Sequence, residues 1–270
     1  MTRQRQAAAH LEDHRQRQGM GVSVKLMERV CLVGSGRLGV GLSAELVCHV
    51  YLVDGGKEAA LIDAGAGVAT AEILAYAAAH GFPSDRIRHL LLTHGHADHA
   101  GGTASFRRHL AQLRVYAHPI VARYLRDGDE QGVGLDVGKR AGLYPGEYVL
   151  EPAAVDAEVI DGAQIRVGDL TLQVLETPGH CGGHNAFLMD CGGLRVFFAG
   201  DLIFHGGRIL LQNTHDCDLQ AYIRSLRRLR GLGVDVLLAG HLSFALRWGQ
   251  RHIDAALDVL DRGGIPPQAL

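Results

Sequence analysis

The sequence predicts an α/β fold in which several strands end at a common edge and present metal-binding side chains there. Short apolar runs typical of buried strands alternate with segments typical of helices, and glycine-containing turns separate them. Four of the strand-like runs are each followed, after at most a short turn, by histidine or aspartate. Because open α/β sheets usually place their sites at the carboxyl ends of strands, this pattern predicts one shared site.

The first half of the chain opens with a predicted hairpin. Two apolar runs, residues 47–53 and 59–62, flank an Asp-Gly pair, which is a strong turn signal. A helix is predicted over residues 69–80, because glycine and then proline follow just beyond its end. The remaining predictions here are a strand over residues 90–93, a helix over 101–112, a strand over 115–117 and a helix opened by Pro119.

The second half repeats this plan of hairpin strands followed by a strand and a helix. Between residues 158 and 198, apolar runs are joined by glycine-containing turns at Asp161-Gly162, Gly168-Asp169 and Gly192-Gly193. Beyond them the sequence predicts a helix over residues 218–230, a strand over 234–238 and a last helix over 247–260.

The densest group of candidate metal ligands is His94, His96, Asp98 and His99. It follows the strand predicted over residues 90–93, so four ligating groups enter one small volume. Neutral imidazole and carboxylate together suit zinc, iron or manganese. The alternative is a solvated turn in a chain with 16 histidines. The candidate partners further along the chain disfavour that alternative.

Three further candidate ligands follow apolar runs. His180 comes after the run that starts at Leu170, Asp201 after the run that includes Phe198, and His241 after residues 234–238. A single histidine after a strand is usually structural. Four strand ends that each carry a metal-competent residue favour a metal site.

As an ordered set, HxHxDH followed by His, Asp and His resembles the metallo-β-lactamase superfamily of metallohydrolases, over about residues 44–260. The resemblance implies a four-layer αββα sandwich with the metals at one edge between two sheets. It implies one metal on His94, His96 and His180, a second on Asp98, His99 and His241, and Asp201 bridging the two.

Two further residues gain expected roles from the resemblance. Asp63, in a strand-turn before the motif, is expected to orient a metal ligand through hydrogen bonds. His184 follows His180 at a spacing that resembles glyoxalase II, and we expect it to support the site rather than to bind metal. Only residues 242–270 follow the last ligand, so a short form without the glutathione-binding helical domain is expected.

The complete ligand set predicts an enzyme with two divalent metal ions, zinc being favoured over iron or manganese. Such ions lower the pKa of bound water toward about 7, so a bridging hydroxide becomes the nucleophile. We expect hydrolysis of a small ester, thioester or lactone, with Asp98 as a ligand that also orients the nucleophile or accepts a proton. The alternatives are an iron-dependent sulfur dioxygenase or other redox enzyme, and a non-catalytic metal-binding module.

Loops at the same edge are expected to border the substrate pocket. His205, Asn213, His215 and Tyr148 are the candidate substrate contacts. The glycine-rich segment 127–151 is predicted as a long loop, either a lid or a plain solvent-exposed loop. Residues 34–39 match GxGxxG, but no βαβ unit follows, so we interpret them as a flexible loop near the pocket rim.

Composition narrows the partners and the compartment. A formal net charge of −2 gives no signal for nucleic acid or an anionic membrane, and no apolar run is long enough to span a bilayer. Five widely spaced cysteines do not suggest a disulfide framework, and the polar residues 1–20 lack the apolar core of a secretory signal. We expect a cytoplasmic protein with a small-molecule substrate, in which residues 1–20 are a polar extension that need not be ordered and 21–270 form a single domain.

Overall fold

The strands of the protein form two β-sheets in the computed structural model, which describes residues 24–270. The first sheet contains β1 (Val24–Met27), β2 (Val30–Gly34), β3 (Val50–Asp54), β4 (Ala59–Ile62), β5 (Ile87–Leu91), β6 (Arg114–Ala117) and β7 (Ala157–Glu158), in that spatial order. Strands β1 to β4 are antiparallel neighbours, and β4 to β7 are parallel. The predicted extension over residues 1–20 lies outside the described residues.

The second sheet has five strands and the same change from antiparallel to parallel pairing. Its strands are β8 (Gln164–Val167), β9 (Leu170–Glu176), β10 (Asn185–Cys191), β11 (Leu194–Gly200) and β12 (Val236–Ala239). The spatial order is β12-β11-β10-β9-β8, and only the β11–β12 pair is parallel among these described strands.

Seven α-helices occur in the described part of the chain. They are α1 (Thr70–Ala79), α2 (Ala97–Ala100), α3 (Thr103–His109), α4 (Pro119–Asp127), α5 (Leu135–Arg140), α6 (Leu219–Arg228) and α7 (Gln250–Asp261). Within residues 24–270, no helix combines the length and the apolar character that a membrane crossing requires.

The two sheets pack face to face. Leu32 and Ile62 of the first sheet share one buried cluster with Val174, Phe187 and Phe198 of the second. Helices α1, α3 and α4 cover the outer face of the first sheet, while α6 and α7 cover the second. Burial of each large side chain here contributes about 1.5–3 kcal/mol. The layers are therefore helix, sheet, sheet and helix, which confirms the αββα sandwich.

Several local predictions are confirmed. The Asp-Gly turn joins β3 to β4, and the Asp54 carboxylate accepts a hydrogen bond from the Gly56 N–H at 2.9 Å. Pro119 occupies the first turn of α4. Asp218 caps α6 by accepting from the N–H groups of Gln220 and Ala221, at 2.7 and 3.0 Å. This cap satisfies two backbone donors that the first turn leaves unpaired.

Other predicted elements begin or end at different residues in the structure. The strand predicted over residues 90–93 runs from Ile87 to Leu91, and the helix predicted over 101–112 is the shorter α3, preceded by α2 within the HxHxDH motif. The hairpin of β1 and β2 was not predicted. The GxGxxG segment is not a loose loop, because a Cβ on Gly36 would lie 2.4 Å from the Glu45 carbonyl oxygen. Its glycines permit close backbone packing.

The segment 127–151 is not an irregular loop, because it contains α5. Glycine lowers helix propensity, which explains why the sequence pattern did not reveal this helix. Packing compensates for that cost. Leu135 is buried, and the absence of a side chain at Gly138 admits the Tyr144 ring, whose nearest atom would lie 2.8 Å from a Cβ there.

Candidate metal centre

The ends of β4, β5, β9, β11 and β12 meet at one edge between the sheets. Asp63 follows β4, the HxHxDH residues follow β5, and the remaining candidate ligands follow the three strands of the second sheet. The structure thereby brings together the side chains of His94, His96, Asp98, His99, His180, Asp201 and His241, within groups whose ligating atoms lie no more than 4.8 Å apart.

Three buried imidazoles form the first group. His94 Nε2 lies 3.0 Å from His96 Nδ1, and His180 Nε2 lies 3.1 Å from the same nitrogen. Two imidazole nitrogens that share a tetrahedral zinc ion at its usual bond length lie roughly 3.3 Å apart. The spacing of this group is therefore close to what one shared cation requires.

The second group contains two imidazoles and a carboxylate. His241 Nε2 lies 3.0 Å from His99 Nε2 and 3.0 Å from Asp98 Oδ2. Asp201 lies between the two groups. Its Oδ1 is 3.4 Å from His99 Nε2, and its Oδ2 is 3.7 Å from His180 Nε2 and 3.5 Å from His241 Nε2. This position suits a carboxylate that contacts two cations.

The nitrogen and oxygen atoms of the candidate ligands are better satisfied by bound cations than by hydrogen bonds to one another. Asp201 Oδ1 is buried and makes no hydrogen bond within residues 24–270. An unpaired buried carboxylate oxygen is costly unless a cation or a donor faces it. Because several imidazole nitrogens also face one another, a positive charge at their centre satisfies more of these atoms than protons can.

The pKa values divide the centre into two parts. Burial lowers the pKa of His94 well below its usual value, and burial together with the charge of His180 lowers the pKa of His96 to about 4. Burial alone would lower the pKa of His241, but Asp201 and Asp98 outweigh it and raise that pKa. The first group therefore offers neutral nitrogens, and negative charge concentrates around the second.

Asp63 supports both groups through hydrogen bonds. Its carboxylate accepts from His99 Nδ1 at 2.9 Å and from the Thr93 N–H and hydroxyl, the latter at 2.8 Å. The Thr93 oxygen lies 3.0 Å from His94 Nδ1. One buried carboxylate thus orients an imidazole of each group. Asp63 adopts φ +65°, an uncommon conformation for a side-chain-bearing residue. No sequence pattern indicated that Thr93 contributes to the site.

His184 is buried beside the ligands, and both of its ring nitrogens have partners. Nε2 accepts the backbone N–H of Asp201 at 3.2 Å, and Nδ1 lies 2.9 Å from the Thr177 hydroxyl. Because Nε2 accepts, the proton is on Nδ1, which donates to Thr177. His184 therefore positions the backbone of Asp201.

Tyr144 was missed as a site residue. Its hydroxyl donates to Asp98 Oδ1 at 2.8 Å and accepts the Asp98 backbone N–H at 3.1 Å. Asp98 Oδ2 is left to face His241. Since 46 residues separate Tyr144 from Asp98, no local sequence signal linked them.

Cys48 also lies near His99 and Asp63, in a group with ligand-like spacing. Burial raises the pKa of its thiol to about 12, so the thiolate form that metals bind is disfavoured. Both Asp63 oxygens already accept hydrogen bonds. We therefore assign Cys48 to packing.

A cavity of about 320 Å³ opens beside the centre and reaches His96, Asp98, Asp201 and His241. Of the four candidate substrate contacts, Asn213 lines this cavity. Arg37 and Leu38 of the GxGxxG segment also line it.

The other three candidate contacts lie elsewhere. His205 is exposed and packs on His252, with ring centroids 4.2 Å apart, because a tight turn between Phe204 and Arg208 carries it away from the cavity. The half-exposed His215 lies beside Asp216. Tyr148 donates its hydroxyl to the Ala66 carbonyl oxygen at 2.9 Å, and Tyr144 lines the cavity instead.

Comparison with known proteins agrees with this fold and centre. A family model described as the metallo-beta-lactamase superfamily matches residues 44–241. The chain belongs to that superfamily. The match contains all seven candidate ligands together with Asp63 and His184.

Two curated relatives illustrate the similarity in sequence. An atrochrysone carboxyl ACP thioesterase from Aspergillus fumigatus is 29% identical over 195 residues, or 72% of this chain and 50% of the relative. A hydroxyacylglutathione hydrolase from Rhodopseudomonas palustris is 30% identical over 158 residues, or 58% of this chain and 49% of the relative. The chain thus spans about half the length of these relatives.

Solved structures share the architecture. A metallo-beta-lactamase with an HARLDQ motif from Cronobacter sakazakii matches with a TM-score of 0.64 at 25% identity, covering 89% of this chain and 86% of that one.

Proposed function

We propose that the protein is a metal-dependent hydrolase of a small ester, thioester or lactone, and that it uses two zinc ions. The observation that carries this proposal is the pair of ligand groups that share Asp201 at the floor of a cavity. The names of the relatives, a thioesterase and a hydroxyacylglutathione hydrolase, support acyl cleavage.

The two groups would each hold one ion. His94, His96 and His180 would hold the first, Asp98, His99 and His241 the second, and Asp201 would contact both. Divalent cations in such a site lower the pKa of bound water and polarise a substrate carbonyl oxygen. A site with few ligands, all of them imidazole nitrogens or carboxylate oxygens, favours zinc.

The protein's own residues supply positioning. Tyr144 holds one oxygen of Asp98, so the other keeps a fixed direction toward His241 and the cavity floor. Asp63 holds His99 in the tautomer whose free Nε2 faces the centre. Asn213 lines the cavity, and its side-chain amide would offer an N–H donor to the substrate. Fixed dipoles of this kind stabilise charge that develops during acyl transfer.

The surroundings favour a small-molecule substrate. The net charge of −2 supplies little driving force for binding a nucleic acid backbone. All five cysteines are unpaired in the described chain, which supports a reducing compartment such as the cytoplasm.

Metal analysis combined with a substrate panel tests the proposal. Protein purified without added metal should contain about two zinc ions per chain and should hydrolyse members of a panel of aryl esters, thioesters and lactones. The variant His96→Ala should lose both activity and metal. One iron per chain with oxidation of a persulfide would replace the hydrolase with a sulfur dioxygenase. Absence of metal would overturn the proposal, and bound metal without turnover of any panel substrate would indicate a non-catalytic metal-binding module.

A further inference from the structure

The cavity beside the metal centre has an apolar wall that the proposed chemistry does not require. Metal ligands form its floor, but most of the remaining lining is aliphatic. The aliphatic side chains include Leu38, Val47, Leu135, Val137, Leu143 and Leu210. Two of the cavity-lining leucines, Leu143 and Leu270, are 49% and 63% exposed, so the apolar surface continues to the mouth.

Charge is scarce on this wall. Apart from the candidate metal ligands, the charged side chains that line the cavity within residues 24–270 are Arg37 and Glu45, and both are exposed at its rim. A charged group placed against the wall would lose water without gaining an ionic partner. An aliphatic group would gain about 0.8 kcal/mol for each buried methylene, or about fourfold in affinity.

The segment that carries α5 holds this wall against the ligands. Val133 packs over Gly95, where a Cβ would lie 3.3 Å from Val133 Cγ1. A Cβ on Gly134 would lie 3.9 Å from a carbon of the His96 ring. Tyr144, on the same segment, donates a hydrogen bond to Asp98. The wall is therefore already formed in this structure. It begins beside His96 and Asp98, two of the candidate metal ligands that the substrate carbonyl group would face.

We propose that the substrate carries an uncharged aliphatic acyl chain longer than acetyl, which lies along the apolar wall of the cavity while its carbonyl group faces the metal centre. This inference rests on the proposed function, because it takes acyl cleavage as the reaction. Esters, thioesters and lactones share this acyl chemistry. The alcohol or thiol released from an ester or thioester leaves through the open mouth, whereas a lactone opens to a single hydroxy acid.

Two series of substrates with constant leaving groups test the proposal. One series consists of p-nitrophenyl esters and the other of N-acetylcysteamine thioesters, each with acetyl, butyryl and hexanoyl chains. As a separate comparison, γ-butyrolactone is assayed beside γ-octanolactone. The value of kcat/KM should rise about threefold to fourfold for each added methylene in at least one series.

Variants on the same segment supply the control. Leu143→Asp should lower the ratio of kcat/KM for hexanoyl to that for acetyl at least tenfold, and Val137→Phe should lower it by narrowing the cavity. Val149→Asp is the matched control, because Val149 is 68% exposed and does not line the cavity. It should leave the ratio unchanged. A flat chain-length profile in active protein, or equal ratios in all variants, would overturn the proposal.

A binding measurement separates this proposal from the proposed function. The dissociation constants of hexanoate and acetate are measured by calorimetry on zinc-loaded protein. If no panel substrate is hydrolysed but hexanoate binds at least tenfold tighter than acetate and Leu143→Asp removes the difference, the proposed function fails and the acyl-chain site stands. If substrates are hydrolysed but the two acids bind equally, the acyl-chain site fails alone.

Discussion

Replacing Asp63 by asparagine tests how one buried carboxylate governs both halves of the centre. The substitution keeps the size of the side chain but exchanges one acceptor oxygen for an NH2 donor. If the amide oxygen stays on the Thr93 N–H, 2.7 Å away, the NH2 group faces His99 Nδ1. His99 must then accept at Nδ1 and carry its proton on Nε2. A protonated Nε2 cannot bind a metal.

The expected loss is large for metal binding and smaller for folding. Mutation of residues that orient metal ligands typically lowers affinity 10- to 100-fold, which corresponds to about 1.4–2.7 kcal/mol. Folding of the metal-free protein should lose about 1–3 kcal/mol, because a buried charge-assisted hydrogen bond disappears. The opposite orientation of the amide is also unfavourable, because it places the NH2 group against the Thr93 N–H and leaves two donors facing each other.

Competitive titration with a chromophoric zinc chelator measures the affinity, and urea denaturation of the metal-free protein measures stability. Asp156→Asn is the matched control. Its carboxylate also accepts a backbone N–H, from Val115 at 2.8 Å, but it makes no contact with the ligands in the described chain. Zinc affinity of Asp63→Asn within twofold of wild type, in folded protein, would refute the reasoning about the His99 tautomer.

Three further predictions follow from single contacts. Tyr144→Phe removes the hydroxyl that donates to the Asp98 carboxylate and accepts the Asp98 N–H. It should lower kcat about tenfold with zinc content unchanged, because loss of the hydrogen bond to the carboxylate alone costs about 1.5 kcal/mol. Unchanged kcat in steady-state assays would remove Tyr144 from the mechanism. Phe187→Ala should reduce the free energy of unfolding by about 3–5 kcal/mol in urea titration, since Phe187 is fully buried between the sheets. Burial lowers the pKa of His89, so its contribution to stability is complete above pH of about 6.5 and declines as pH falls. His89→Gln should therefore lose less stability than wild type between pH 8 and pH 5.

The strand ends were predictable because their signal is local. A buried strand shows as a short apolar run, and the ligand follows it within a few residues, as with β5 and His94 or β12 and His241. The order of the ligands then indicated the family, and the family implied the arrangement of layers. Strand bounds shifted by up to three residues because apolar runs extend beyond the paired region, as at Val47 before β3.

Residues that act across the fold were not predictable in the same way. Tyr144 reaches Asp98 only because α5 packs on the metal loop, and the glycines that permit this packing weakened the helix signal. Proximity to Asp201 in sequence made His205 and His215 candidates for the cavity. The turn between Phe204 and Arg208 places His205 against His252, and the sequence around Asp201 carries no signal for that turn.

Anomalous diffraction from crystals of the zinc-loaded protein is the most direct test of two ions that share Asp201. Data collected on both sides of the zinc absorption edge locate zinc independently of the protein atoms. Two peaks are expected on either side of the Asp201 carboxylate, one among His94, His96 and His180 and the other among Asp98, His99 and His241. A single peak at full zinc saturation, or peaks away from these side chains, would contradict the dinuclear centre.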